Sequence, residues 1–135
     1  MRIDHIGIAV KSIEQAARLY VEGLGLRLER IEAVSGQGVK VGFLPVGESE
    51  LELLEPLSAE STVAQFIEKR GEGIHHLCLE VDDIVSAMDH LRAQGAVLLS
   101  EEPVVGAGGA WVVFVHPRST HGLLLELSQK PKGTT

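Results

Sequence analysis

The chain has 135 residues, of which 44% are hydrophobic and 23% charged, and its formal net charge is −7. This length and composition are typical of one globular domain, and a membrane span is not expected because no apolar run reaches about 18 residues. The acidic balance and the aromatic content of 4% disfavour nucleic acid and anionic membranes as partners.

The cysteine content and the first residues bear on the cell compartment. Cys78 is the single cysteine and cannot form an internal disulfide, which is typical of proteins in a reducing compartment. The residues after Met1 lack the long apolar stretch of a secretory signal. We therefore expect a cytoplasmic protein.

The first half of the chain predicts a strand, a helix and three further strands. Apolar residues run through 3–10, and Ser12 with Gln15 then forms a pattern typical of a helix N-terminus. Gly25 is expected to end this helix. The apolar stripe of the helix, at helical spacing, consists of Ile13, Ala16, Ala17 and Tyr20. The three later strands are predicted over about 26–33, 38–45 and 50–55.

The second half repeats this order of elements. The segment 74–84 aligns with the first strand and its cap, so that His76 corresponds to His5. Asp83 is the expected N-cap of the second helix, and Gly95 is its expected end. The apolar stripe of this helix consists of Ile84, Ala87, Met88 and Leu91. Its three later strands are predicted over about 96–100, 110–115 and 122–128.

The chain is therefore predicted to fold as two tandem βαβββ modules, an α+β arrangement. Val63, Phe66 and Ile67 lie at helical spacing and indicate a helix that connects the modules. Each module alone would be marginally stable, so we expect the two to pack as one domain. Glycine-rich segments at 35–38 and 104–110 predict mobile loops. The predicted boundaries are about 1–57 for module one, 61–70 for the connecting helix, 73–128 for module two, 1–130 for the whole domain, and 131–135 for a flexible tail.

Four polar side chains interrupt the apolar strands at matching positions of the two modules. His5 and His76 are predicted to point away from the helices, with small residues beside them. Glu52 and Glu126 each lie between two leucines that should face the core. Imidazole and carboxylate suit divalent ions such as Zn, Co, Ni, Mn or Fe, and two facing carboxylates would repel one another without a cation. The pattern predicts one metal site formed by all four residues.

The other histidines and the cysteine are expected to be mainly structural. His75 should face the helices, and His90 should be exposed on its helix. His116 ends a strand, where a turn hydrogen bond and a catalytic role are both open. His121 is either an exposed loop residue or a substrate contact, and Cys78 is expected to be a small packed residue.

The sequence resembles the vicinal oxygen chelate superfamily and, within it, the methylmalonyl-CoA epimerase family. The resemblance extends over residues 4–127, nearly the whole chain. The four predicted ligands are typical of the superfamily as a whole, whereas the Gly-Glu-Gly-Ile-His-His run is more specific to the epimerases. The matching segments are 4–10, 52–56, 71–76, 106–109 and 116–127.

This resemblance implies a half-open eight-stranded barrel around one divalent metal ion, with Co, Zn, Ni and Mn as candidates, and a homodimer. It also implies an isomerase that interconverts (2R)- and (2S)-methylmalonyl-CoA, an acyl-CoA substrate, by proton transfer at C2 through a metal-chelated enolate. Inversion requires an acid or base on each face of the planar enolate. Glu52 and Glu126 are the expected pair.

One position departs from the pattern of the family. Some members carry a glutamate base on the third strand and a glutamine as the second metal ligand, whereas this chain has Val41 and Glu52 at those positions. The second base is therefore reassigned to Glu52, which brings the ligand set closer to that of glyoxalase I (lactoylglutathione lyase). That enzyme is the alternative prediction, and a non-catalytic small-molecule-binding member of the same fold is a further one.

Overall fold

The computed structural model of the protein describes residues 1–131, so the predicted flexible tail at 131–135 lies outside the described residues except for its first residue. The backbone divides into two compact units. The first unit is His5–His75, and the second unit joins Met1–Asp4 to the chain from His76 onward. None of the helices in residues 1–131 is long and apolar enough to cross a membrane.

The first unit has the βαβββ order that the sequence predicts, followed by the connecting helix. Its elements are β1 (Arg2–Ala9, from His5 onward in this unit), α1 (Ile13–Ala17), β2 (Arg30–Val34), β3 (Val39–Val46), β4 (Ser49–Pro56) and α2 (Thr62–Arg70). The strand order is β2-β3-β4-β1, with β4 and β1 parallel and the other pairs antiparallel.

The second unit repeats this arrangement. Its elements are β5 (Gly73–Glu80, from His76 onward in this unit), α3 (Ile84–Ala93), β6 (Val104–Val105), β7 (Trp111–Val115) and β8 (Leu125–Gln129). The strand order is β5-β8-β7-β6, with β5 and β8 parallel and the other pairs antiparallel. The predicted α+β class with paired βαβββ modules is confirmed.

Side-chain caps begin the helices where the sequence predicts them. Ser12 Oγ accepts a hydrogen bond from the Gln15 N–H at 3.2 Å, and Asp83 Oδ1 accepts one from the Ser86 N–H at 3.0 Å. Each bond satisfies a backbone donor that has no partner within the first turn of the helix. α2 begins in the same way at Ser61.

Glycines end the two module helices, as predicted. Gly25 and Gly95 have φ values of 80° and 85°, a left-handed conformation that glycine adopts without a steric penalty. The first helix is longer than α1 alone, because Arg18–Gly23 continues it as a π-helix. Tyr20 lies in this segment and still packs against the core of the first unit.

Each unit has its own hydrophobic core between its strands and its module helix. The buried residues are Val10, Ile13, Ala17, Leu44 and Leu53 in the first unit, and Val81, Ile84, Met88, Val113 and Leu127 in the second. The leucines that flank Glu52 and Glu126 join these cores, as predicted. One face of each glutamate-bearing strand therefore belongs to the core.

Three predicted strands differ from the structure. The strand predicted at 26–33 begins only at Arg30, and the one predicted at 122–128 begins only at Leu125. The strand predicted at 96–100 is wrong, because that segment joins β7 through a single bridge, Leu98 to Val115, and is not a strand of its own. β7 pairs with β8 along its length and, at its start, with Val104–Val105, which lies in a segment predicted to be a loop.

The glycine-rich segments form defined turns as well as loops. Ser35–Gln37 and Ala107–Gly109 are 3₁₀ turns that precede β3 and β7. Gly38 and Gly109 follow or close these turns with φ values of 65° and 79°. The glycines thus permit a tight entry into the third strand of each unit.

Replacing Leu53 by alanine is expected to lower the free energy of unfolding by about 2–5 kcal/mol, because its fully buried side chain would leave a cavity in the first core. Leu57→Ala is the matched control: Leu57 is 48% exposed, and its loss should change stability by no more than about 0.5 kcal/mol. Urea unfolding followed by circular dichroism measures both. Equal losses would contradict the place of Leu53 in the core.

Candidate metal centre

In the first unit, β1 and β4 bring His5 and Glu52 together. The imidazole Nδ1 of His5 is 3.1 Å from Oε2 of Glu52, and both residues are only 6% exposed. The parallel register places Gly7 directly beside Glu52, so His5 is its diagonal neighbour. Because Gly7 has no side chain, nothing from that position blocks the contact.

In the second unit, β5 and β8 bring His76 and Glu126 together in the same way. Nε2 of His76 is 3.1 Å from Oε1 of Glu126, and both residues are again 6% exposed. The register partner of Glu126 is Cys78, a small residue two positions after the histidine. Each unit therefore contains one buried histidine–glutamate pair, built on one parallel strand pair.

Each pair presents a nitrogen and an oxygen at the spacing of neighbouring ligands of one divalent ion. Ligand atoms about 2.1 Å from a metal lie about 3.0–3.4 Å apart when the angle between them is about 90–109°. The N–O distance of 3.1 Å in both units falls within this range. Imidazole nitrogen and carboxylate oxygen are also suitable donors for Zn²⁺, Co²⁺, Ni²⁺ and Mn²⁺, so each pair fits such an ion.

An aromatic side chain flanks each pair on the antiparallel side. Phe43 is the register partner of Glu52, and Phe114 is the register partner of Glu126. The Phe114 ring lies edge-on to His76, with ring centroids 5.8 Å apart at 85°. The Phe114 ring makes one wall of the second pair apolar, which strengthens electrostatic interactions at its carboxylate.

Sequence analysis did not single out these two phenylalanines. A phenylalanine at the corresponding place in the third strand of each module was a usable signal, because the repeat aligns Phe43 with Phe114. What a single strand does not reveal is its register against the next strand. That register places each ring opposite a glutamate.

Val41 is the residue that the sequence resemblance places at the third-strand position of the predicted glutamate base. It is 2% exposed on β3 and pairs with Leu54 of β4. A valine at this position has no group that could take up or release a proton. The proton-transfer role of Glu52 stays a prediction.

Cys78 is a packed residue, as expected. Its side chain is fully buried, and Sγ lies 3.3 Å from Oγ of Ser128, a contact within the second unit. Ser128 is itself only 6% exposed. The two residues form a buried polar layer two positions along the strands from His76 and Glu126.

The other four histidines lie outside the two histidine–glutamate pairs, in positions that agree with the expectations from the sequence. The ring of His75 contacts the ring of Phe66 on α2, with centroids 5.0 Å apart at 69°. Nδ1 of His116 accepts a hydrogen bond from the backbone N–H of Arg118 at 3.0 Å, so the turn role is the observed one. His90 and His121 are exposed.

A family model described as the Glyoxalase/Bleomycin resistance protein/Dioxygenase superfamily matches residues 4–114. The chain belongs to this superfamily. The matched residues include His5, Glu52 and His76, three of the four predicted ligands, and Glu126 follows them in the repeat.

Relatives and solved structures give the comparison more detail. The ethylmalonyl-CoA/methylmalonyl-CoA epimerase of Cereibacter sphaeroides is 43% identical over 130 residues, which cover 95% of this chain and 97% of the relative. The mitochondrial methylmalonyl-CoA epimerase of Homo sapiens is 40% identical over 129 residues, which cover 95% of this chain and 73% of the relative.

A structure of a Streptomyces coelicolor methylmalonyl-CoA epimerase variant in complex with 2-nitronate-propionyl-CoA has a TM-score of 0.94 and 33% identity. The match covers 100% of this chain and 98% of that one. The predicted resemblance to the epimerase family is confirmed. These relatives are enzymes of the isomerase class that the resemblance implied.

The thiol of Cys78 is expected to be unreactive toward a disulfide reagent such as Ellman's reagent in the native protein, because the side chain is fully buried. Unfolding in urea should expose it and release about one equivalent of product per chain, since the sequence has one cysteine. Absorbance of the released thiolate measures both states. Rapid reaction of the native protein would contradict this burial.

Proposed function

We propose that this chain is a metal-dependent methylmalonyl-CoA epimerase, which interconverts the (2R) and (2S) forms by moving the proton at C2. The observation that carries the proposal is the buried histidine–glutamate pair repeated at matching positions in the two units. The names of the relatives, which cover nearly the whole chain, support the choice of substrate.

We infer that His5, Glu52, His76 and Glu126 together hold one divalent ion, with Co, Zn, Ni and Mn as candidates. Two carboxylates would balance the 2+ charge, which lowers the cost of burying the ion. When bound, the ion acts as a Lewis acid that stabilises negative charge developing on the thioester oxygen, typically by several kcal/mol. The donor spacing in each unit supports this assignment.

The two glutamates are the proposed acid and base. In one direction the Glu52 carboxylate accepts the C2 proton from one face of the substrate, and Glu126, which has taken up a proton from solvent, donates it to the opposite face. Glu52 then releases its proton to solvent before the next turnover. The reverse direction exchanges these roles. Each carboxylate has two oxygens, so one can face a metal while the other transfers a proton.

The ligand in the Streptomyces coelicolor complex supports an enolate as the intermediate of this transfer. That protein is in complex with 2-nitronate-propionyl-CoA, and a nitronate is planar and anionic, like the enolate left after C2 loses its proton. A planar intermediate can accept its new proton from either face, which is what inversion requires.

The remaining expectations about the protein are part of the same proposal. We propose that residues 1–130 act as one domain, that two copies form a homodimer, and that the enzyme works in the cytoplasm. The reducing compartment is supported by the single cysteine. The acyl-CoA substrate is supported by the names of the relatives.

Metal content tests the proposed ligand set. The purified protein should hold about one divalent ion per chain after supply of Co, Zn, Ni or Mn, and His5→Ala or His76→Ala should lose it, because each variant removes a coordinating nitrogen. Elemental analysis with protein quantification gives the ratio. The fold should survive, since both side chains lie on the strand face opposite the core leucines.

His90→Ala is the matched control for these variants, because His90 is exposed on α3. It should bind metal as the wild type does. A wild-type protein that stays metal-free with all four ions supplied would refute the metal site. Full metal content in both His5→Ala and His76→Ala would refute the ligand assignment.

A substrate comparison separates the epimerase from the two alternatives. Methylmalonyl-CoA should exchange its C2 proton for deuterium and change configuration. The hemithioacetal of glutathione should not react, because the relatives that support the proposal are named as epimerases of acyl-CoA substrates. Proton NMR follows both substrates. Turnover of the hemithioacetal alone would favour glyoxalase I, and binding of metal without either reaction would favour a binding protein.

The two glutamates should serve opposite faces of the substrate. Glu52→Gln keeps an oxygen for the metal but removes the group that transfers a proton, so epimerisation should fall by about 10²–10⁴-fold while metal content holds. Glu126→Gln should do the same from the other face. Deuterium exchange into each separate stereoisomer of methylmalonyl-CoA should therefore show opposite preferences for the two variants.

Glu48→Gln provides the control for this pair, because it makes the same chemical change at an exposed residue in the turn before β4. It should retain epimerisation. If Glu52→Gln epimerises near the wild-type rate, Glu52 is a ligand without a proton-transfer role. The second acid or base would then be a different group.

A further inference from the structure

We infer that Glu55 and Gln129 are positioning residues that hold the two histidine–glutamate pairs in register, an inference that rests on the proposed metal site. Each follows a proposed ligand by three positions, Glu55 after Glu52 and Gln129 after Glu126. An odd offset along a strand puts the two side chains on opposite faces. Each strand therefore presents a ligand on one face and a hydrogen-bond acceptor on the other.

In the first unit, this acceptor binds the start of the module helix. Oε1 of Glu55 accepts a hydrogen bond from the backbone N–H of Ile13 at 2.8 Å. Ile13 is the first residue of α1, where backbone N–H groups have no partner within the helix. The other carboxylate oxygen lies 3.2 Å from Nζ of Lys40 on β3. The side chain is thus fixed from two sides.

The second unit repeats the contact with a different residue type. Oε1 of Gln129 accepts a hydrogen bond from the backbone N–H of Ile84, the first residue of α3, also at 2.8 Å. A carboxylate and an amide share an acceptor oxygen but differ in charge. Both units keep the acceptor oxygen, but only the first keeps a charge. The shared role of this contact is therefore to fix the position of the strand against the helix.

The hydrogen bond closes a ring around the pair. In the first unit the chain runs from His5 along β1 to Ile13, crosses by hydrogen bond to Glu55, and returns along β4 to Glu52. This bond lies beyond the last register pair of the parallel β1–β4 ladder. A slip of one residue between strands would turn every side chain to the other face, so pinning this end preserves the 3.1 Å contact of the pair.

A comparison of two helix-capping bonds tests the inference. Ser12 also makes a bond at the start of α1, but to Gln15 within its own segment and with no link to the ligand strand. Glu55→Leu removes the bond between strand and helix, and Ser12→Ala removes the local one. Both variants should lower the urea midpoint of the metal-free protein, because each leaves a helix donor without its cap.

Metal affinity distinguishes a positioning role from a merely structural one. A structural role would lower the stability of both variants but leave their affinities for the metal equal. Competition with a chelator gives the dissociation constant for Co²⁺ in each variant. Glu55→Leu should raise this constant by up to about tenfold, the equivalent of one net hydrogen bond, because the ends of the two ligand strands are no longer pinned together. Ser12→Ala should leave it near the wild-type value. Glu55→Gln keeps the acceptor oxygen, so its dissociation constant for Co²⁺ should stay near the wild-type value.

The outcomes separate this inference from the proposed function. A wild-type protein that binds no Co²⁺ would overturn the metal site and the inference with it. Tight binding by the wild type with equal constants for Glu55→Leu and Ser12→Ala would overturn the positioning role alone. If Glu55→Leu does not fold, Gln129→Leu against Asp83→Ala makes the same comparison in the second unit and decides the result.

Discussion

Burial of a carboxylate is the constraint on which each unit depends. Glu52 and Glu126 are 6% exposed, and a buried charge costs several kcal/mol unless a partner compensates it. The partner in each unit is an imidazole at 3.1 Å, which becomes positive only with a second proton. A divalent ion would compensate the carboxylates with both imidazoles neutral, so the proposed metal would stabilise the native state as well as the reaction.

The two-residue period of a strand makes this burial compatible with a stable core. In Leu51-Glu52-Leu53 the leucines pack against the core of the first unit, and the glutamate points to the other face. Gly7 beside Glu52 then leaves the space that the histidine ring needs. The core and the candidate site are consequently two faces of the same strands, and the register of those strands sets both.

Local chemistry decided which parts of the structure the sequence could predict. The caps at Ser12 and Asp83 were predictable because each side chain binds its own segment, and the two histidine–glutamate pairs were predictable because the chain repeats. The segment 96–100 carries strand-forming residues, yet it meets only the end of β7, through the bridge from Leu98 to Val115, while Val104–Val105 pairs with the start of that strand. The place of Phe114 beside His76 likewise depends on register between strands, which no single segment records.

The repeat also exposes where the two units differ. Beside the pair in the second unit lie the thiol of Cys78 and the hydroxyl of Ser128, whereas the matching positions in the first unit are Gly7 and Leu54, which carry no polar side-chain atom. The two carboxylates therefore lie in surroundings of different polarity. In the proposed epimerisation a catalyst cannot change the equilibrium between the two stereoisomers, so this asymmetry cannot affect the overall equilibrium. Under the proposed mechanism it would instead make the barriers to proton transfer at Glu52 and at Glu126 unequal, so that proton removal is the slower step in one direction and proton return in the other.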